Sequence, residues 1–224
     1  MADGWFMPNP TLERGETVAI GPLKLEGYLH APAAAHAIVV FVHGSGSSRF
    51  SPRNQYVAER LVQRGFATLL FDLLTEEEAR LRANVFDIPF LADHLVMASE
   101  WLRRQPKLQH LALGYFGAST GAAAAFVAAA DPSCGVKAIV SRGGRPDLAG
   151  DALARVMAPT LLIVGGHDLE VLELNEDAYL HLAGPKRLAV VPGATHLFEE
   201  PGTLDQVVDL AAAWFERYLV EQDE

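Results

Sequence analysis

Six short runs of almost uninterrupted apolar residues recur along the chain: "AIVVFVH" at 37–43, "FATLLFD" at 66–72, "HLALGYF" at 110–116, "VKAIVS" at 136–141, "TLLIVGG" at 160–166 and "RLAVVPG" at 187–193. Each is far shorter than the roughly 20 apolar residues a membrane-spanning helix needs. None alternates as a strand with one wet face does. Runs of this length are strands buried on both faces, as in a parallel sheet covered by helices. Two earlier segments, "TVAI" and "LKLEGYLH" (23–30), alternate instead and read as a half-buried pair at the sheet edge.

Segments with helical spacing lie between the runs, at 54–65, 90–105, 120–130, 146–157, 172–184 and 204–222. Gly65 and Gly184 stand where helices stop, and Pro106 closes another. Strand and helix alternate, so the expected class is α/β with right-handed crossovers. The expected architecture is one domain over 1–224, with a mostly parallel central sheet of about eight strands and helices on both faces. One stretch breaks the rhythm. "LLTEEEARLRANVFDIP" (73–89) reads as a short extra helix capped by Thr75, followed by an ordered loop. Its Phe86 and Ile88, with Phe90, either cover the sheet or line a substrate pocket.

Composition removes several function classes. A net charge of −10 and a pI near 5.2 argue against a nucleic-acid partner or an anionic membrane, both of which need a basic surface. Cys134 is the only cysteine, which excludes an intramolecular disulfide and a thiolate metal cluster. The histidines show no His-Glu-x-x-His spacing, so no metal site is expected. No Gly-x-Gly-x-x-Gly follows the first parallel strand, and no cofactor is expected either. The opening "MADGWFMPNP" lacks the basic start and apolar core of an export signal, so a cytoplasmic protein is expected. Oligomeric state is not legible.

In open parallel sheets, ligands bind outside the carboxyl ends of the strands. The residues found there are His43-Gly44-Ser45-Gly46-Ser47, Gly117-Ala118-Ser119-Thr120-Gly121, His167-Asp168 and Ala194-Thr195-His196. A hydroxyl, a carboxylate and an imidazole therefore emerge from one edge. A serine hydroxyl needs a base to take its proton as it attacks a carbonyl, and imidazole titrates in the right range. A carboxylate would hold the ring's tautomer and stabilise the imidazolium.

The order Ser, Asp, His, with Gly-x-Ser-x-Gly at a strand-to-helix turn, resembles the α/β-hydrolase fold from about Thr17 to Tyr218. The resemblance implies Ser119 as nucleophile, His196 as base and Asp168 as acid, with Glu170 and Glu173 as alternative acids. It also implies an oxyanion hole from the backbone N–H groups of Thr120 and Ser45. Within the fold, the chain is similar to the dienelactone hydrolase-like group, compact enzymes with little lid. Dienelactone hydrolase itself uses a cysteine nucleophile, and position 119 is serine, which moves the expectation to a serine carboxylesterase acting on a small-molecule ester. Only residues 142–159 separate two of the strands, room for one crossover helix and no cap, so the site should be open. Arg142 and Arg145 lie on this edge, and either binds a substrate carboxylate or fixes its loop by pairing with Asp147. The expected chemistry is ester hydrolysis through an acyl-enzyme. Thioesterase, amidase or peptidase activity, or ligand binding without catalysis, are the alternatives.

Overall fold

The apolar runs become the middle of a sheet. In the computed structural model, which describes residues 15–220, eight strands line up in the order β1-β2-β4-β3-β5-β6-β7-β8. They are β1 (Glu16–Ile20), β2 (Leu25–His30), β3 (Ala37–Val42), β4 (Phe66–Phe71), β5 (Ala112–Ala118), β6 (Val136–Arg142), β7 (Thr160–Gly165) and β8 (Lys186–Val191). β2 pairs antiparallel with both β1 and β4, and every other pairing is parallel. The alternating edge pair and the continuous central strands thus fall where their patterns put them. β3, β4 and β7 are buried at every position.

Helices cover both faces. On one lie α1 (Pro52–Gln63) and α7 (Thr203–Phe215), packed on Val39, Phe41, Phe116 and Val140. On the other lie α4 (Ile88–Arg103), α5 (Thr120–Ala129) and α6 (Leu169–His181), around Val40, Leu69, Tyr115 and Leu162. Full burial of one such large apolar side chain contributes about 1.5–3 kcal/mol. The alanines at 122–125 are all fully buried, and their small size lets α5 lie close on the sheet directly behind β5. The opening decapeptide and the end of the expected last helix lie outside the described residues.

Local chemistry refines three expectations. The helix expected from residue 90 starts at Ile88, because Asp87 caps it by accepting the Phe90 N–H at 3.1 Å. The stretch 73–89 holds two single-turn helices, α2 (Glu76–Ala79) and α3 (Arg82–Val85). A reciprocal capping box between Thr75 and Glu78 starts α2. The crossover expected as an α-helix at 146–157 is instead a 3₁₀ segment, Pro146–Arg155, broken at Gly150, whose φ of 51° no right-handed helix accommodates. Among the described residues, no helix is long and apolar enough to cross a membrane.

Candidate active site

β5 runs into α5 through a turn that only particular residues allow. Ser119 sits at φ 51° and ψ −127°, a conformation that costs a non-glycine residue about 1–3 kcal/mol. The turn is held by the Ser119 N–H donated to Arg142 O at 3.3 Å, and by Ser119 O accepting the N–H groups of Ala122 and Arg145. Two residues later the helix presses against the preceding loop. A Cβ on Gly121 would lie 2.2 Å from Val42 O and 2.4 Å from His43 O, so no side chain fits. The Ser119 side chain makes no capping bond to its own helix.

Asp168 and His196 arrive from the ends of β7 and β8, beyond β6. Nδ1 of His196 donates to Oδ2 of Asp168 at 2.7 Å, which leaves Nε2 free of that bond and able to act as a base. Asp168 opens α6 yet spends its carboxylate on the ring instead of on a capping bond. The two loops approach because Gly165 has no side chain: a Cβ there would stand 2.4 Å from Ala194 O and 2.7 Å from Thr195 O. The turn before His196 is closed by Thr195, whose N–H and hydroxyl both go to Glu200. Glu170 and Glu173, the other acids weighed for this place, follow Asp168 within α6.

The loop after β6 ties Ser119 and His196 together. Arg145 N–H reaches Ser119 O at 3.0 Å, while a Cβ on Gly143 would be 3.6 Å from the His196 ring. On the opposite side of Ser119 lies Gly44, where a Cβ would be 3.6 Å from Ser119 Oγ. The backbone N–H of Ser45 donates to Thr120 Oγ1 at 2.7 Å, which draws the glycine-rich loop onto the first residue of α5. Thr120 Oγ1 thus occupies the Ser45 N–H, the donor expected from the sequence for an oxyanion.

His43 anchors that loop from behind. Its Nε2 accepts the Leu73 N–H at 3.2 Å, so the ring proton resides on Nδ1 and is donated to Gly44 O at 3.0 Å. Burial pushes this imidazole below its usual value, more than the Gly44 carbonyl and the Asp72 charge raise it. The other backbone group of Leu73, its carbonyl, accepts from Nδ1 of the buried His94 at 2.6 Å.

The remaining candidates divide. Arg145 holds Asp147 through two parallel bonds of 2.9 and 2.8 Å, the loop-fixing arrangement. Arg142 is buried and holds no carboxylate among the described residues. Ile88 packs into the core with Leu91 and Leu95, whereas Phe86 is 52% exposed, with the Arg82 guanidinium over its ring. Among the described residues no group of His, Cys, Asp and Glu is arranged to hold a metal. Sequence reasoning missed the role of Gly165. The "VGGHD" glycines were a signal for it, since a doubled glycine between a strand and an acid marks a close approach.

Known proteins share this fold. The family model described as the dienelactone hydrolase family matches residues 25–217. A crystal structure of dienelactone hydrolase from Anabaena variabilis is 57% identical, covering 92% of this chain and 98% of its own, with a TM-score of 0.87. Est1E from Butyrivibrio proteoclasticus, at 15% identity and a TM-score of 0.76 over 92% of this chain and 98% of its own, shares the fold. Two curated proteins from Mycobacterium tuberculosis strains, each named "Putative phosphoribosyl transferase", are 62% identical over 208 residues. That match takes in 92% of this chain and 47% of theirs, so the chain spans about half the length of those relatives.

Proposed function

Given that the chain belongs to the dienelactone hydrolase family, we propose that it is a serine hydrolase cleaving carboxylic esters through an acyl-enzyme. The observation that carries this reading is the 2.7 Å bond from His196 to Asp168 on the same sheet edge as a strained, displayed Ser119. In the mechanism, Nε2 of His196 takes the Ser119 proton as Oγ attacks the ester carbonyl. Asp168 keeps the ring tautomer and stabilises the imidazolium. The same proton then goes to the leaving alkoxide, and water repeats the sequence on the acyl-enzyme.

The Thr120 and Ser45 N–H groups serve the developing oxyanion. Thr120 Oγ1 releases the Ser45 N–H to it, a local rotation of one side chain. Loss of one such donor typically lowers the rate about 10²- to 10³-fold. The short β6–β7 connection leaves the edge without a cap, which suits water as the acceptor. The transferase name belongs to proteins about twice as long as this chain, and the residues on this edge call for acyl transfer to water.

Fluorophosphonate labelling tests the proposal. Wild type should label at Ser119, and Ser119→Ala should lose both the label and esterase activity, the latter by about 10⁶, with its melting temperature preserved. Label surviving that substitution would sink the reading.

A further inference from the structure

Arg142 is the last residue of β6 and 7% exposed, yet it lacks the partner a buried charge requires. Its Nη2 reaches Asn54 Oδ1 at 3.4 Å, and its Nε has no hydrogen-bond partner. The Phe198 ring lies 5.8 Å from the guanidinium carbon. The charge nearest in effect is another cation, Arg53, and burial together with that neighbour pulls Arg142 down to about 10. Three more exposed arginines on this edge are paired: Arg49 with Asp72 and Glu26, Arg53 with Glu199, Arg145 with Asp147. Of these four, Arg142 is the most buried and the one without a carboxylate among the described residues.

A buried guanidinium left uncompensated is strongly destabilising, and such groups are found paired. Where the described chain supplies no anion, the place is open to one from solution. The surroundings suit one. Asn54 stands in the first turn of the twelve-residue α1, whose N-terminus, capped by Ser51 with Pro52 following, presents the positive end of a helix dipole. Arg142 enters this place from the sheet and Arg53 flanks it from the helix.

We propose that Arg142, Asn54 and the first turn of α1 form a binding site for a small monovalent anion, a carboxylate or a halide. Arg142 is 7% exposed and the Phe198 ring beside it 2%, which favours a small ion over a bulky one. Phe198 is two residues beyond His196 and bonds back to Thr195 O through its N–H, so the anion also supports the turn that carries the base. Anion binding itself is tested independently of ester hydrolysis, because that arm reads stability; only the closing comparison of two esters rests on the proposed activity.

The test is the melting temperature of the full chain titrated with sodium formate or sodium chloride, at ionic strength held constant with sodium methanesulfonate. Wild type should show a saturable rise of about 5 °C at concentrations about 100-fold above Kd. Arg142→Met should lose it. Asn54→Asp, which places a carboxylate beside the guanidinium, should melt higher than wild type without added anion and should also lose the saturable rise. This second variant keeps the test decisive if Arg142→Met fails to fold. No saturable rise in wild type, or the same rise in wild type and Asn54→Asp, overturns the proposal. Monomethyl succinate and methyl butyrate then separate the anion's sources. Formate inhibiting only the acidic monoester identifies the bound group as a substrate carboxylate, and equal action on both esters identifies a separate ligand.

Discussion

The turn from β5 into α5 and the connection from β4 to α4 both leave the carboxyl edge of the sheet, and they are built in opposite ways. At the first, Ser119 is strained, Gly121 sits within 2.2 Å of a carbonyl, and the next four residues are fully buried alanines. The backbone there has no room to move. At the second, α2 and α3 bury no residue, Leu81 and Phe86 are 63% and 52% exposed, and the segment is tied down by histidines gripping Leu73 and by a capping box. Close packing makes position non-negotiable, whereas a few hydrogen bonds leave a segment that opens at low free energy. The chain places Ser119, the proposed nucleophile, on the rigid structure and lets the adaptable one border it.

Substitutions should grade this contrast. The largest effect is expected where the site's geometry is chemical as well as rigid. Asp168→Asn should lower kcat about 10⁴-fold with little change in melting temperature, by presenting the wrong tautomer of His196. Glu170→Gln and Glu173→Gln should keep near wild-type rates, and a large loss in either would relocate the acid. Next comes packing. Gly121→Ala should destabilise by about 3 kcal/mol, a fall in melting temperature of several degrees, because its Cβ meets backbone on two sides. A silent Gly121→Ala would mean the turn is far looser than its contacts imply.

A smaller effect is expected at the hinge between the two regions. His43 is held below its usual value of 6.5 by burial. The unfolded chain therefore takes up a proton near pH 6.5 that the folded chain takes up only at lower pH. Its contribution to stability is full above pH 6.5 and declines as pH falls below it. Denaturant melts between pH 7.5 and 5 should show this slope in wild type, and His43→Gln should flatten it. An unchanged slope would place the titration on another group. Least affected should be the exposed segment: Phe86→Ser is expected within about 0.5 kcal/mol of wild type in stability. A rise in KM with no loss of stability would instead bring Phe86 to the substrate.

Much of this site was legible before any coordinates, for a reason specific to parallel sheets. Each central strand is announced by its own continuous apolar run, and the residue after the run must lie on the carboxyl edge. Ser119, Asp168 and His196 could therefore be singled out as candidates from strand-end position together with the Gly-x-Ser-x-Gly pattern. The segment 73–89 was only half legible. Thr75 and Glu78 mark a local capping box, but whether Ile88 and Phe86 face core or solvent depends on how α4 docks, and Ile88 turned out buried while Phe86 did not. The 3₁₀ crossover escaped because Gly150 reads as a tolerated helix glycine until its φ is known.

The sequence by itself determined the fold class, the order of the strands along the chain and the residue types delivered to one edge, because strand burial and turn chemistry are written locally in side-chain period and glycine placement. Only the tertiary structure decided which charges are paired. Arg145 and Arg142 read alike in "SRGGRPD", yet one finds Asp147 two residues away while the other is buried against Asn54 and Phe198, 88 positions behind it and 56 ahead. Pairing is a matter of distance in space, and distances across a sheet depend on how separate elements pack, which no local pattern encodes.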